Sequence, residues 1–181
     1  IISIYIMTLS VYKSLLLSIS TQVVTGIIEV IALLVKVPAK FLFLKQMLVL
    51  EVIVQFIEGS FYVYWFRNFK KIVNITPQRY LDWVITTPTM LITLIFYLIY
   101  LKYKKDNTSD QLQFFDLFKK EFNTIITVLS LNWLMLLFGY LGEINMLPVL
   151  LGVSLGFIPF LIYYYIIYKK YAGLSNEGFN I

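Results

Sequence analysis

The sequence contains neither cysteine nor histidine, and only 14% of its 181 residues are charged. The absence of cysteine excludes disulfide bonds and thiolate metal sites. Without histidine, the commonest metal ligand and the usual proton acceptor near neutral pH are missing, so proton chemistry must use carboxylates, hydroxyls, water or a bound group. We expect no metal site. No nucleophile–base pair stands at a recognisable spacing either, so we do not expect an enzyme.

Apolar residues are abundant: 60% of the chain is hydrophobic, and the mean hydropathy is +0.81. These values predict an all-α integral membrane protein whose main partner is a lipid bilayer. The net charge of +5 comes from lysines that cluster between apolar runs, a pattern typical of loops at a membrane surface. No long basic tract is present, so we predict no nucleic-acid partner.

Five apolar stretches are long enough to cross a ~30 Å hydrocarbon core, which requires ~20 helical residues. The predicted spans are 14–35, 41–66, 76–102, 112–142 and 146–168. Residues 1–12 are interpreted as an interfacial lead-in. Lysines are most frequent after the first, third and fifth spans, which favours an N-terminus outside the membrane and a multi-pass topology. We predict one domain over residues 1–181, incomplete at one or both ends.

The third span contains the most unusual stretch, residues 79–88, RYLDWVITTP. Steps of three and seven from Arg79 reach Asp82 and Thr86, and Thr93 continues the same face, so one side of the helix is polar. Inserting one central carboxylate or guanidinium costs ~3 kcal/mol or more. The intramembrane Arg79 and Asp82 therefore indicate a functional site.

Proline and glycine interrupt two of the predicted spans. Pro88 should kink the third span, and a neighbouring hydroxyl such as that of Thr87 can satisfy the backbone groups it frees. In the fifth span Gly156 and Pro159 allow a ligand or a neighbouring backbone to come close.

The second span carries a polar stripe at spacings of four, three and four, formed by Glu51, Gln55, Glu58 and Tyr62. One interpretation is interhelical hydrogen bonding, often worth only ~0.6 kcal/mol for each bond. The other is an ion or proton path, to which Glu29 of the first span would belong. The sequence leaves both open.

Residues 79–88 resemble the third-helix signature of the microbial (type I) rhodopsins, which are seven-helix retinal proteins. Residues 134–143, LMLLFGYLGE, resemble the end of the fourth helix of proteorhodopsins, and the whole chain is most similar in character to rhodopsins of large algal viruses. The resemblance implies a seven-transmembrane-helix bundle of which this chain contains helices one to five. It also implies all-trans retinal as the cofactor and a homo-oligomer, either a trimer or a pentamer.

The resemblance implies a role for each residue of the polar face. Asp82 would be the counterion of a protonated retinal Schiff base and its first proton acceptor, with Thr86 hydrogen-bonded to it. Arg79 would stabilise the charged carboxylate and favour outward proton release. Thr93 occupies the position at which efficient pumps carry a carboxylic proton donor, so reprotonation should be slow, and a channel or a sensor becomes more plausible.

The resemblance also implies a chromophore pocket. Its predicted members are Tyr80, Trp83, Thr87, Met90, Trp133, Gly139, Gly156 and Pro159. The family's retinal-binding lysine lies in the seventh helix, which this sequence does not contain, and every lysine present lies near the end of a span or in a loop. We therefore expect the natural protein to continue.

Three functional interpretations remain within the resemblance: an outward proton pump, a light-gated cation channel and a sensory photoreceptor. The set of Arg79, Asp82 and Thr86 favours the pump. The glutamates Glu29, Glu51 and Glu58 could line a water-filled cation path. A fourth interpretation, from a different class, is a structural or transport subunit without photochemistry, in which the buried charges serve only packing.

Overall fold

The computed structural model describes residues 2–68 and 76–172. Within these ranges it contains five long α-helices and no strand: α1 Ile2–Leu34, α2 Leu42–Asn68, α3 Thr76–Lys105, α4 Phe114–Glu143 and α5 Val149–Ile167. A π-helical turn, Tyr168–Ala172, prolongs α5. Short 3-10 turns, Ala39–Phe41 and Ser109–Gln111, precede α2 and α4. The predicted all-α fold with five helices is confirmed.

Each helix packs against the next one in the chain, and the two 3-10 turns lie together at one end. Side chains of α2 complete this end: Lys45 Nζ donates to the carbonyl of Val35 at 2.9 Å, and the Gln46 side chain accepts the Phe114 amide at 3.1 Å. The second bond satisfies one of the free amides at the start of α4. The result is an up-and-down bundle.

Four helical segments are long and apolar enough to cross a membrane: Tyr12–Leu34, Thr76–Lys105, Phe114–Glu143 and Val149–Ala172. The second predicted span, α2, is not among these four segments, and it carries Lys45, Glu51, Glu58 and Arg67. At 1.5 Å per residue its 27 residues still extend about 40 Å. Its length suits a membrane helix, and its polar groups require protein or water beside them.

The largest difference from the predicted boundaries is at the start of the chain. The predicted lead-in of residues 1–12 is helical from Ile2 and continuous with α1, which runs without a break to Leu34, and its place at the membrane interface stays a prediction. Adding residues to an existing helix forms one hydrogen bond for each residue fixed, so an apolar lead-in extends the helix readily. After α4 the chain turns at Asn145, whose φ of 60° is left-handed and suits asparagine.

The apolar core lies among α2 to α5, toward the end that holds the 3-10 turns. Its fully buried members include Phe43, Ile95, Phe96, Ile125 and Val128. Because Ile95 stands thirteen residues after Asp82, about 20 Å along a helix at 1.5 Å per residue, this core and the polar stretch of α3 occupy different levels of the bundle.

Candidate functional site

The polar face of α3 is buried inside the bundle at Asp82, which is only 2% exposed. Its carboxylate atom Oδ1 has no hydrogen-bond partner among the described residues. Burying a carboxylate without a partner is costly, so such a group persists where a cation or a donor completes it. The site therefore suits a cationic ligand group.

Arg79 lies one turn before Asp82 and is held by aromatic neighbours. Its guanidinium donates to the Tyr62 hydroxyl at 3.1 Å and lies 5.6 Å from the ring centre of Trp83. Among the residues that the structure describes, Arg79 makes no ion pair with Asp82, and the two interact electrostatically at longer range. The guanidinium thus leaves the buried oxygen available.

A second carboxylate approaches the same place from α2. Glu58 interacts electrostatically with both Asp82 and Arg79. The sequence placed Glu58 on a possible ion path, and in the structure it lies within electrostatic range of the predicted counterion. Two acidic groups and one basic group share the site, so an added cation would complete the balance of charge.

The threonine hydroxyls of α3 bond to their own helix. Thr86 donates to the main-chain oxygen of Asp82 at 3.2 Å, so the predicted link joins Thr86 to the Asp82 backbone and not to its carboxylate. Thr87 donates to the carbonyl of Trp83 at 2.7 Å, and Thr93 to that of Thr89 at 3.1 Å. Such back-bonding is usual for threonine within apolar helices.

The carbonyl freed by Pro88 belongs to Val84, four residues earlier. Its donor is the indole N–H of Trp133 in α4, at 3.0 Å. The sequence analysis expected a hydroxyl such as that of Thr87 to serve the freed groups. That expectation is wrong for this carbonyl, because the Thr87 hydroxyl donates to Trp83 instead.

Asn132, which the sequence analysis missed, is buried between α3 and α4. Its side-chain amide donates to the Thr87 hydroxyl at 2.8 Å. The sequence does contain a signal for this contact, because an asparagine in the middle of an apolar span is expected to be buried, and a buried amide requires hydrogen-bond partners.

Tyr80 fills the space between α3 and α4 next to the polar face. Its ring makes edge contacts with Trp83 at 5.0 Å and with Tyr140 at 5.6 Å. A Cβ atom added to Gly139 would lie 2.8 Å from the Tyr80 hydroxyl oxygen. The absence of a side chain at Gly139 therefore leaves room for Tyr80, which contacts both Trp83 and Gly139. The role of these three residues in a chromophore pocket stays a prediction.

Four further predicted pocket residues differ in exposure. Met90 and Trp133 are 59% and 41% exposed, respectively. Gly156 is buried between α4 and α5, where an added Cβ atom would lie 3.4 Å from the carbonyl oxygen of Met135, and Pro159 is buried in the same helix. Their roles as a chromophore wall stay predictions.

The three glutamates of the predicted ion path have different electrostatic neighbours. Glu29 and Glu51 interact electrostatically with each other, and Glu58 interacts with Asp82. Glu29 also borders a groove of about 680 Å³ between α1 and α2, where Gln55 donates to the Thr25 hydroxyl at 2.7 Å. The role of the three glutamates as an ion path stays a prediction.

A bundle of apolar helices that buries a carboxylate one turn from a guanidinium is typical of a membrane protein with a functional site inside the membrane. The sequence model of the bacteriorhodopsin-like protein family matches residues 11–178. The chain belongs to this family, and the predicted microbial rhodopsin is confirmed.

The structure is similar to the crystal structure of the viral rhodopsin OLPVRII, with a TM-score of 0.72 and 27% sequence identity. The similarity covers 87% of this chain and 69% of that one. No curated protein matches. The protein is thus an integral membrane protein of a family that uses retinal for light-driven transport or signalling.

The residues present fit one part of a retinal site. The buried Oδ1 of Asp82 offers an acceptor for a cationic nitrogen, and the indole of Trp83 lies one residue further along α3. Lys13 is exposed on α1, and the other described lysines lie in turns or toward the ends of helices. The described residues therefore supply the anionic side of the site, and none of them supplies a covalent attachment point for retinal.

Proposed function

We propose that this protein is a retinal photoreceptor that acts as an outward proton pump, with Asp82 as counterion and proton acceptor. The observation that carries the proposal is the buried Asp82 oxygen without a hydrogen-bond donor, beside Arg79 and Glu58. When bound, retinal supplies a cationic nitrogen whose proton is released by light. Asp82 is the acceptor that the chain itself provides for this proton.

Arg79 gives the transfer its direction. Its guanidinium favours an ionised Asp82 at rest, and after Asp82 is neutralised its remaining neighbours are the Tyr62 hydroxyl and Glu58. Both lie on α2, and Arg79 already donates to the Tyr62 hydroxyl, so its charge stays toward the start of α3 when Asp82 is neutralised. A proton leaving near that end is then repelled by Arg79 from returning.

The start of α3 faces outside if the N-terminus is outside. We propose this orientation because the end with the 3-10 turns and Tyr168–Ala172 carries most of the lysines. Its lysines are Lys36, Lys40, Lys45, Lys102, Lys104, Lys105, Lys119, Lys120, Lys169 and Lys170.

A light-gated cation channel is the second candidate. The observation that favours it is the position of Glu58 next to Asp82, together with the separate pair Glu29 and Glu51. Acidic groups at two levels of the bundle could bind a passing cation twice. Thr93 supplies no carboxylic donor for rapid pumping, which is consistent with this alternative.

The test is the light-evoked current under voltage clamp in cells that express the full-length protein with retinal. A current that stays outward at zero voltage and is insensitive to external cations supports the pump. A current that reverses with the cation gradient supports the channel, and Glu58→Gln should then change the reversal potential. A membrane preparation that stays colourless with retinal would overturn both candidates and favour a protein without photochemistry.

We also propose all-trans retinal as the resting isomer and a trimer or pentamer as the assembly. Chromophore extraction from dark-adapted protein tests the isomer, and native mass spectrometry tests the number of subunits. A dominant 13-cis isomer or a monomeric mass would contradict the respective proposal.

A further inference from the structure

Pro88 leaves one backbone carbonyl of α3 without a donor in its own helix, and a side chain of α4 supplies the donor. Proline has no amide hydrogen, so the Val84 carbonyl has no donor within α3. Val84 is on an exposed side of the helix, and lipid offers no water to replace the missing donor. The indole N–H of Trp133 occupies this position, 3.0 Å from the Val84 oxygen.

The indole has the complementary requirement, because its N–H is a donor only and needs an acceptor when it is removed from water. Trp133 thus bonds a backbone atom that a regular helix would never offer. Next to it, Asn132 holds the Thr87 hydroxyl at 2.8 Å. Two consecutive residues of α4 therefore attach to the stretch of α3 that ends at Pro88.

This stretch also carries the proposed site. Asp82 and Thr86 are buried on the side of α3 opposite to Val84, within the same one and a half turns of the helix. A change in backbone geometry at Val84 would turn or shift the Asp82 carboxylate, because no proline amide restrains the helix there.

We propose that Trp133 is a positioning residue that substitutes for the missing amide of Pro88 and thereby fixes the place of Asp82. The proposal rests on the photoreceptor function and gives Trp133 a role distinct from a wall of the chromophore pocket. The ordinary alternative is an aromatic side chain that merely contacts lipid, for which the identity of residue 88 would be irrelevant.

A double-mutant cycle in the full-length protein with retinal distinguishes a positioning role of Trp133 from a mere contact with lipid. Trp133→Phe removes the N–H donor and keeps an aromatic ring. Pro88→Ala restores an amide that can serve Val84 within α3. We expect Trp133→Phe to shift the absorption maximum, alter the photocycle several-fold and lower the midpoint of thermal unfolding. In the Pro88→Ala background the same substitution should have a much smaller effect on all three.

Equal effects of Trp133→Phe in both backgrounds, or no effect in either, would overturn the proposal. Tyr97→Phe is the matched control, since it removes a donor from a comparably exposed aromatic of α3 and should leave the spectrum unchanged. If Pro88→Ala does not fold, Trp133→His replaces it in the test. A ring that retains an N–H donor should keep a spectrum closer to that of the wild type than phenylalanine does, and the reverse order would overturn the proposal.

The thermal-unfolding cycle is also measured on the protein without retinal. If the wild type forms no pigment, the photoreceptor function fails. If the unfolding effects of the substitutions at residues 133 and 88 are still coupled, the hydrogen bond from Trp133 to Val84 is established without the photoreceptor function. If they are not coupled, the hydrogen bond is overturned as well.

Discussion

The two halves of α3 bury different things. In the half that contains residues 91–100, apolar side chains fit against α2, α4 and α5, and Ile95 and Phe96 are fully buried. In the half that contains residues 79–88, the buried residues are Asp82, Thr86 and Pro88, and Asp82 Oδ1 has no donor among the described residues. Residues 91–100 stabilise the bundle by apolar packing, and residues 79–88 hold a carboxylate that lacks a hydrogen-bond donor.

This division has a physical cause. A buried charge without a partner lowers stability, and neighbouring structure must supply what it costs. The apolar half provides that support without touching the site. Stability and function should therefore respond to mutations in different halves of the same helix, and the following predictions measure how far this separation extends.

The largest loss of stability is expected from Phe96→Ala in the apolar half. Phe96 contacts Phe43 and Phe114 with ring centres 5.9 and 5.0 Å apart. Truncating a buried phenylalanine typically costs about 3–5 kcal/mol of unfolding free energy. Reversible unfolding of the full-length protein in mixed micelles measures it. A loss below about 1 kcal/mol would show that this half is not the support.

Asp82→Asn should do the opposite: abolish proton transfer and leave the unfolding free energy unchanged or higher. Asparagine is neutral, so the unpaired buried charge disappears while the shape is kept. The absorption maximum should move to longer wavelength, since the cationic chromophore loses its counterion. Absorption spectroscopy and unfolding are measured on one preparation, with the exposed Asp110→Asn as control. An unchanged spectrum would remove Asp82 from the site.

Hydropathy and helical spacing sufficed to predict five helices and the polar face of α3, because both are local properties of the chain. The exposed Met90 and the hydrogen bond from Trp133 to Val84 were not predictable in the same way. Which side of a helix meets a neighbour depends on packing between residues far apart in sequence. Pro88 indicated that a carbonyl would be free, but the sequence could not identify its donor.

Glu58 illustrates the same limit. Its spacing with Glu51 and Tyr62 predicted a shared stripe on α2, and the structure places it with Asp82 of α3. Helical period assigns residues to a face, whereas the partner of that face comes from the tertiary structure. Residues 69–75, which contain Lys70 and Lys71 between the second and third predicted spans, lie outside the described residues.

Alanine substitutions at two glycines that lie at contacts of α4 should have effects of intermediate size. At Gly152 an added Cβ atom would lie 2.9 Å from the main-chain oxygen of Phe138, which cannot move alone, so Gly152→Ala should cost about 1–3 kcal/mol of unfolding free energy. At Gly139 the clash is with the movable Tyr80 hydroxyl. Gly139→Ala should therefore shift the absorption spectrum and lower the unfolding free energy less than Gly152→Ala does.

Gly26→Ala is the matched control, because its nearest contact, at 3.7 Å, is ordinary. Absorption spectra and thermal unfolding of the three alanine variants are compared directly. If Gly139→Ala lowers stability as much as Gly152→Ala and leaves the spectrum unchanged, Tyr80 belongs to the packing and not to the site.

The smallest effects are expected at the charged contact between α4 and the π-helical turn. Glu121 accepts from Lys170 at 2.7 Å and from the Tyr171 hydroxyl at 2.6 Å. The Lys170 side chain is 46% exposed, so Lys170→Met should cost at most about 1 kcal/mol of unfolding free energy. Glu121→Ala should cost more, about 1–3 kcal/mol, because it removes the carboxylate that accepts from the buried Tyr171 hydroxyl.

Salt distinguishes the two contributions at this contact. The stability difference between wild type and Lys170→Met should shrink as ionic strength rises, since an exposed ion pair is screened. The difference between wild type and Tyr171→Phe should stay constant, because it reports a buried hydrogen bond between Tyr171 and Glu121. Neither variant should move the absorption maximum, as the contact lies at the end of the bundle opposite the start of α3. A spectral shift in Lys170→Met would show that the supporting half and the charged site are coupled after all.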